Sequence, residues 1–156
     1  EPVDVGAVAR ELLTLYRGGE GGPIEFAADI PEDLPRISAR ETELKEVLSN
    51  LLENARAAIE GNGSVVIEAV SVPTAVEIRV RDDGAGIPED LMGRIFEPQF
   101  STRSTGTGLG LAIVRKLVES WDGTVAAEVD RGEGTVIRLQ LRPWTDVERI
   151  VDEEDA

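Results

Sequence analysis

Two asparagines, a strand-end aspartate and a glycine triplet are the residues whose types and spacing could do chemistry here. Asn50 and Asn54 lie four apart in ELKEVLSNLLENARAAI (43–59). On a helix, at about 100° per residue, that spacing puts both carboxamides on one stripe. The stripe borders an apolar arc centred near Leu44 and Ala55, while Glu53 points the opposite way, toward solvent. Asparagine is a mediocre helix former, so the pair either bridges local backbone or serves a ligand. A carboxamide oxygen can ligate Mg²⁺, a hard cation that keeps several waters and takes few protein ligands. In RDDGAGIP (81–88) two aspartates run into Gly-Ala-Gly. A plain turn explains such pairs. Alternatively, Gly84 and Gly86 let a flat ring lie on the backbone while a carboxylate accepts its amino protons, an arrangement that suits adenine. In GTGLGLAIV (106–114), Gly106, Gly108 and Gly110 precede an apolar run. Amides exposed at a helix start bind an anion without a lysine; a hinge is the other reading. A dinucleotide fingerprint needs the third glycine one residue later, and a P-loop needs Lys-Ser or Lys-Thr where Leu111-Ala112 stands.

The elements that must position these residues follow from periodicity. DVGAVARELLTLYR (4–17) predicts a helix with Asp4 as its N-cap, and GGEGG (18–22) breaks it. IEFAADI (24–30) predicts a strand and PEDLP (31–35) a turn. From Thr42 to Ile59 the positions of Leu44, Val47, Leu48, Leu51, Leu52, Ala55 and Ile59 predict the clearest helix, stopped at Gly61-Asn62-Gly63. SVVIEAV (64–70) and TAVEIRVRD (74–82) predict two strands joined by a short turn at Val72-Pro73. In the second, Val76, Ile78 and Val80 alternate with Glu77, Arg79 and Arg81, which predicts one buried and one wet face. Residues 87–107 show no period and predict a long loop with a helical turn around 91–96. A helix over about 108–121 follows, then strands at 124–130 and 135–141 around the turn RGEG. The expected fold is α+β: a mixed sheet of about five strands, with about three helices on one face.

Bulk properties narrow the function. The chain has 156 residues, suited to one domain, and it is 41% apolar with 30% charged residues. No segment approaches the roughly 20 apolar residues needed to cross a bilayer, and no signal peptide opens the chain. A net charge of −15, from 31 acidic against 16 basic residues, disfavours nucleic acid as a partner. Part of that charge lies in the acidic stretch 146–156, read as a solvated tail. There is no cysteine and no histidine, so Cys-based metal sites, His acid/base catalysis and a histidine phospho-acceptor are excluded within this chain.

In this order and spacing the stretches resemble the nucleotide-binding boxes of the Bergerat (GHKL) ATP-binding fold. They are most similar to the catalytic domain of sensor histidine kinases, in particular the nitrogen-regulation and PAS-linked ones. NLLENA (50–55) resembles the N box, DDGAGI (82–87) the G1 box, FEPQFSTR (96–103) the F box and GTGLGLAIV (106–114) the G2 box; DGTV (122–125) and GEGTVIRLQL (132–141) resemble the closing strands. The similarity runs from about Asp4 to Leu141. It implies a two-layer sandwich with a flexible ATP lid over about 87–107, in an ATP-binding domain of residues 1–145. It implies that Asn54 ligates Mg²⁺, that Asn50 supports the phosphates and that Asp82 takes the adenine amino group. Gly84, Gly86 and Ile87 would lie beneath the base, with Thr135 supporting the aspartate. Gly106, Thr107, Gly108, Leu109, Gly110 and Leu111 would cradle the phosphates, and Thr102 and Arg103 belong to the lid, Arg103 being able to approach the γ-phosphate. Phe96 and Phe100 would either pack the lid or face the phospho-acceptor helices.

Two departures from the family pattern stand out. Ala57 and Ala58 replace a lysine and an aromatic carried by many relatives, and no histidine-bearing dimerisation hairpin is present. The resemblance therefore implies a domain of a longer kinase. ATP and Mg²⁺ are its cofactors, its phospho-acceptor histidine lies on a separate dimerisation domain, and a response regulator lies downstream. A monomeric, cytoplasmic domain without membrane contact is expected. Hydrolysing relatives (gyrase, mismatch-repair and chaperone ATPases) place a glutamate base one helical turn before the Mg-binding asparagine. Asn50 stands there, Glu46 is a turn too early and Glu53 faces solvent, so hydrolysis is disfavoured. A serine kinase acting on an anti-anti-sigma factor and a non-catalytic nucleotide module are the remaining alternatives.

Overall fold

Asp4 starts the first helix by accepting the amide of Ala7 on Oδ1 at 3.1 Å, as its side chain predicts. The computed structural model describes residues 1–17, 24–59, 61–84, 86, 94–97, 110–130 and 134–145. Their order is β1 (Pro2–Val3), α1 (Val5–Arg17), β2 (Ile24–Asp29), β3 (Ile37–Ser38), α2 (Glu41–Ala58), β4 (Gly63–Val72), β5 (Ala75–Asp82), α3 (Gly110–Ser120), β6 (Thr124–Asp130) and β7 (Gly134–Leu141). Five strands form one mixed sheet in the order β2-β4-β5-β7-β6, with β2 parallel to β4 and every other pairing antiparallel. With its three helices this is the α+β sandwich expected from the periodicities.

The layers follow from strand alternation. Val65 and Ile67 of β4, Val76, Ile78 and Val80 of β5, and Leu139 and Leu141 of β7 share one face, and each is essentially buried. α1 adds Val5, Val8, Ala9 and Leu13 to the same core, and α3 adds Val114 and Val118. α2 contributes Leu44, Leu48, Leu51 and Leu52, each at most 1% exposed. Burying a leucine of this kind stabilises by roughly 1.5–3 kcal/mol, which orders α2 although Arg40 provides no side-chain cap. Glu41 and Glu43 in its first turn complement the helix dipole.

Two features differ from the sequence expectations. β1 and β3 pair antiparallel in a separate two-residue ladder, too short to leave a period. They are held beside the end of the large sheet, where the Ser38 amide donates to the Arg142 carbonyl at 2.9 Å. The third helix is described from Gly110 onward, and its expected start at about 108 lies outside the described residues. Within the expected lid only residues 94–97 are described; the Glu97 amide closes on the Arg94 carbonyl at 3.0 Å, and Ile95 is buried.

The face of β5 expected to be wet is the second difference. Glu77 is only 5% exposed. Arg79 reaches its carboxylate at 2.8 Å, Gln140 donates to it at 3.2 Å and Arg138 lies 3.9 Å away. Long arginines on neighbouring positions replace water over this carboxylate. Burial pushes the Glu77 carboxyl up. Hydrogen bonds from Gln140 and Arg79, with the charges of Arg79 and Arg138, outweigh that and hold it below the ordinary glutamate value. The folded state therefore binds this proton more weakly than the unfolded chain. The stabilisation is present above the unfolded pKa of about 4.3 and is lost as pH falls through the lower folded value. Glu77→Gln should cost about 1–2 kcal/mol at pH 7. In denaturant titrations at neutral and acidic pH, the gap from the parent chain should close below about pH 4.

Candidate nucleotide-binding site

The alternation that buries Val76, Ile78 and Val80 carries one step further, to Asp82. This carboxylate is on the core face of β5 and only 4% exposed. Its cross-strand neighbours are Val65 of β4 and Thr135 of β7, both buried. Asp82 Oδ1 accepts the Gly84 amide at 2.9 Å, which curls the chain away from the strand. Gly84 then presses on the end of α2, where a Cβ would stand 2.5 Å from the Ala58 carbonyl oxygen. Gly134 approaches from the other side with φ +109°, and a Cβ there would collide with the Asp82 carbonyl. Asp83 takes the opposite direction and is exposed. Its carboxylate accepts the Ser64 amide at 2.9 Å and the Ser64 hydroxyl at 3.1 Å. The two aspartates thus divide their work: Asp83 bolts the turn to β4, and Asp82 faces the interior at the margin of the helix layer.

On α2, Asn50 and Asn54 are half-buried at the border of the leucine face. Asn50 meets the start of α3, where a Cβ on Gly110 would lie 3.7 Å from its Oδ1. The first amides of α3 have no intrahelical acceptor and carry the positive end of the helix dipole. The structure therefore brings the carboxamide stripe and the helix start together, with Asp82 and Thr135 at the neighbouring strand ends. Among the described residues no group of three or more Asp, Glu, His or Cys side chains could hold a metal. A cation here would rest on neutral carboxamide oxygens and on oxygens brought by a ligand, which fits Mg²⁺ bound with phosphates.

The sequence family described as histidine kinase-, DNA gyrase B- and HSP90-like ATPase matches residues 39–145. The chain belongs to this ATPase family. Among curated proteins, the adaptive-response sensory kinase SasA of Parasynechococcus marenigrum (strain WH8102) is 36% identical over 150 residues, covering 91% of this chain and 39% of the relative. The sensor histidine kinase ZraS of Escherichia coli (strain K12) is 40% identical over 142 residues, covering 90% of this chain and 30% of the relative. The chain thus spans two-fifths or less of the length of these relatives. The solved catalytic domain of histidine kinase ThkA superposes with a TM-score of 0.83 at 34% identity, covering 92% of this chain and 95% of that one. Full-length ShkA in complex with AMPPNP superposes with a TM-score of 0.77 at 31% identity, covering 93% of this chain and 32% of that one.

Of the residues expected to form the site, Asn50, Asn54, Asp82, Gly84, Gly86, Gly110, Leu111 and Thr135 are among the described residues. Ile87, Phe100, Thr102, Arg103, Gly106, Thr107, Gly108 and Leu109 lie outside the described residues. Phe96 is half-buried and packs against the core beside Ile95. Sequence reasoning missed Gly134 and the Asp83–Ser64 bolt. Both need the β5–β7 and β4–β5 registers, and only the turn RGEG hinted at the first. It also missed Val129, 42% exposed, whose Cγ1 would lie 3.7 Å from a Cβ on Gly86. Because the added methyl would strike backbone rather than a movable side chain, Gly84→Ala and Gly134→Ala should each destabilise by about 2–4 kcal/mol. Asp83→Ala should cost only about 1 kcal/mol. Thermal denaturation of the three variants should return that order.

Proposed function

We propose that the chain is the ATP-binding catalytic domain of a two-component sensor histidine kinase, which binds Mg-ATP and passes the γ-phosphoryl to a histidine on a separate dimerisation domain. The observation that carries this reading is the placement of the α2 glutamates. Glu43 accepts the Trp121 indole N–H at 2.9 Å, and Glu53 accepts the Tyr16 hydroxyl at 2.8 Å and pairs with Arg56 at 2.6 Å. Glu41 and Glu46 are exposed. The position one turn before Asn54 is Asn50, which cannot take a proton from water. A family member without a glutamate base in that position is suited to transfer rather than to hydrolysis. The similar proteins, a sensory kinase and a sensor histidine kinase, support the same reading.

In this mechanism Asp82 accepts the amino protons of the base beside Thr135, and Gly84 and Gly86 leave room beneath it. The first amides of α3, with Gly106 and Gly108, receive the phosphates. Asn54 would hold Mg²⁺ through its carboxamide oxygen, and the metal, when bound, supplies charge neutralisation on the phosphates. Arg103 adds a cation from the lid. The nucleophilic imidazole comes from outside this histidine-free chain, so the protein's share is positioning and electrostatic stabilisation. The same reading assigns residues 1–145 to the catalytic domain and 146–156 to an acidic tail. It places the domain in the cytoplasm as a monomer, with a response regulator downstream.

Asn54→Asp or Gly108→Ala should lower phosphorylation of a supplied acceptor domain by about 100-fold or more. Calorimetry should find Mg-ATP binding with near-zero steady phosphate release. Rapid turnover would instead favour the hydrolysing branch of the family.

A further inference from the structure

α2 and α3 run side by side in opposite directions, and two contacts mark the ends of their overlap. At one end Gly110 lies against Asn50. At the other, Trp121, just past the last residue of α3, inserts its indole toward the first turn of α2. Trp121 is 8% exposed, and its Nε1–H donates to Glu43 Oε1 at 2.9 Å. The turn carrying it is closed, since the amides of Trp121 and Gly123 both donate to the Val118 carbonyl, at 3.1 and 3.0 Å. Gly123 follows in close contact with β7, where a Cβ would stand 2.8 Å from the Gln140 carbonyl oxygen. This end of α3 is therefore fixed both to the sheet and to α2.

Between the two ends α3 contributes Val114 and Val118, both fully buried. Apolar contacts of this kind are non-directional and hold a helix down without setting its axial position. A hydrogen bond is directional and does set it. An indole has a single donor and no acceptor, so Glu43 decides where the Trp121 ring stops. Eleven residues of α3, about 16 Å of stiff helix, then carry that setting to Gly110 beside Asn50.

We propose that Glu43, acting through Trp121, is a positioning residue for the phosphate end of the nucleotide site. It fixes the axial register of α3 against α2 and so aims the α3 amides, while leaving the base end at Asp82 and Thr135 untouched. The proposal rests on the nucleotide reading given above. The test compares ligands with and without phosphates on the whole chain, by calorimetry, below each variant's own melting temperature. Glu43→Ala should raise the Kd for Mg-ATP about tenfold and leave the Kd for adenosine within about twofold. Trp121→Phe, which keeps an aromatic body and removes the donor, should do the same. Glu43→Gln, which keeps the acceptor oxygen, should restore Mg-ATP binding to near the parent value. If Glu43→Ala does not fold, the Trp121→Phe and Glu43→Gln pair decides the matter alone. Equal losses for ATP and adenosine would mean general loosening and overturn the proposal, as would unchanged Mg-ATP binding in Trp121→Phe. A parent chain that binds no Mg-ATP would remove the nucleotide reading and this inference with it.

Discussion

The phase of alternation along β5 is the constraint on which the rest of the molecule depends. β5 is the middle strand of five, and its odd neighbours Glu77, Arg79 and Arg81 cannot share a face with Val76, Ile78 and Val80. A slip by one residue would send the charges inward and the valines out. Because the core face includes every second residue, it must also include Asp82. A carboxylate in that position is tolerated only where donors meet it, and the Gly84 amide supplies one. The tightness of the surrounding backbone follows. Gly84 against Ala58 and Gly134 against Asp82 are close approaches forced by folding the strand end over a buried acid. The outer face solves the complementary problem with alternating charge: Glu68 with Arg81, Glu77 with Arg79, and Glu128 with Arg138, each at 2.8 Å.

α2 carries a second constraint, because one helix must serve the core and the candidate site together. Its leucines fill the interior, and the carboxamides occupy the border of the same arc. Glu43 and Glu53 are drawn away by Trp121 and by Tyr16 with Arg56. Tyr16 in turn packs against Phe26 of β2 in a tilted arrangement, ring centroids 5.0 Å apart, which ties α1 and the sheet edge to the same helix. Burial and its bond to Glu53 push the Tyr16 hydroxyl up, so the phenol stays a donor to that carboxylate at neutral pH.

Much of this was legible in the sequence, and the exceptions share a cause. Helix α2, strands β4 to β7 and the sheet's mixed character follow from 3.6- and 2-residue periods that tertiary packing reinforced. Asn50 and Asn54 could be placed on one stripe, and Val76, Ile78 and Val80 on one face, because spacing within a single element determines direction. What was hidden depended on register between elements. The Asp83–Ser64 bolt joins residues 19 apart, and Glu43 meets Trp121 across 78; no local pattern announces either. Glu77 was misjudged for the same reason. Its own strand says that it faces outward, and only the pairing with Gln140 and Arg138 of β7 shows that the outward face is covered at that point.

The charge balance explains why the described phosphate end of the proposed site, at Asn50, Asn54 and the start of α3, is built from neutral groups. The chain carries −15 overall, and many of its described cations are committed to internal pairs: Arg79, Arg81 and Arg138 on the sheet, Arg56 and Arg115 along helices, Lys45 with Glu11. A polyanionic ligand would therefore meet an unfavourable long-range field, which salt screens only partly within about 8–10 Å. An aspartate at position 54 would ligate a metal more strongly and would also add a negative charge beside the phosphates. Asparagine offers an oxygen without that repulsion, and the first turn of α3 adds a positive dipole without a side chain. With neutral ligands and fixed dipoles around the phosphates, the charge left to neutralise in the proposed site would fall to Arg103 and to a divalent cation, when one is bound.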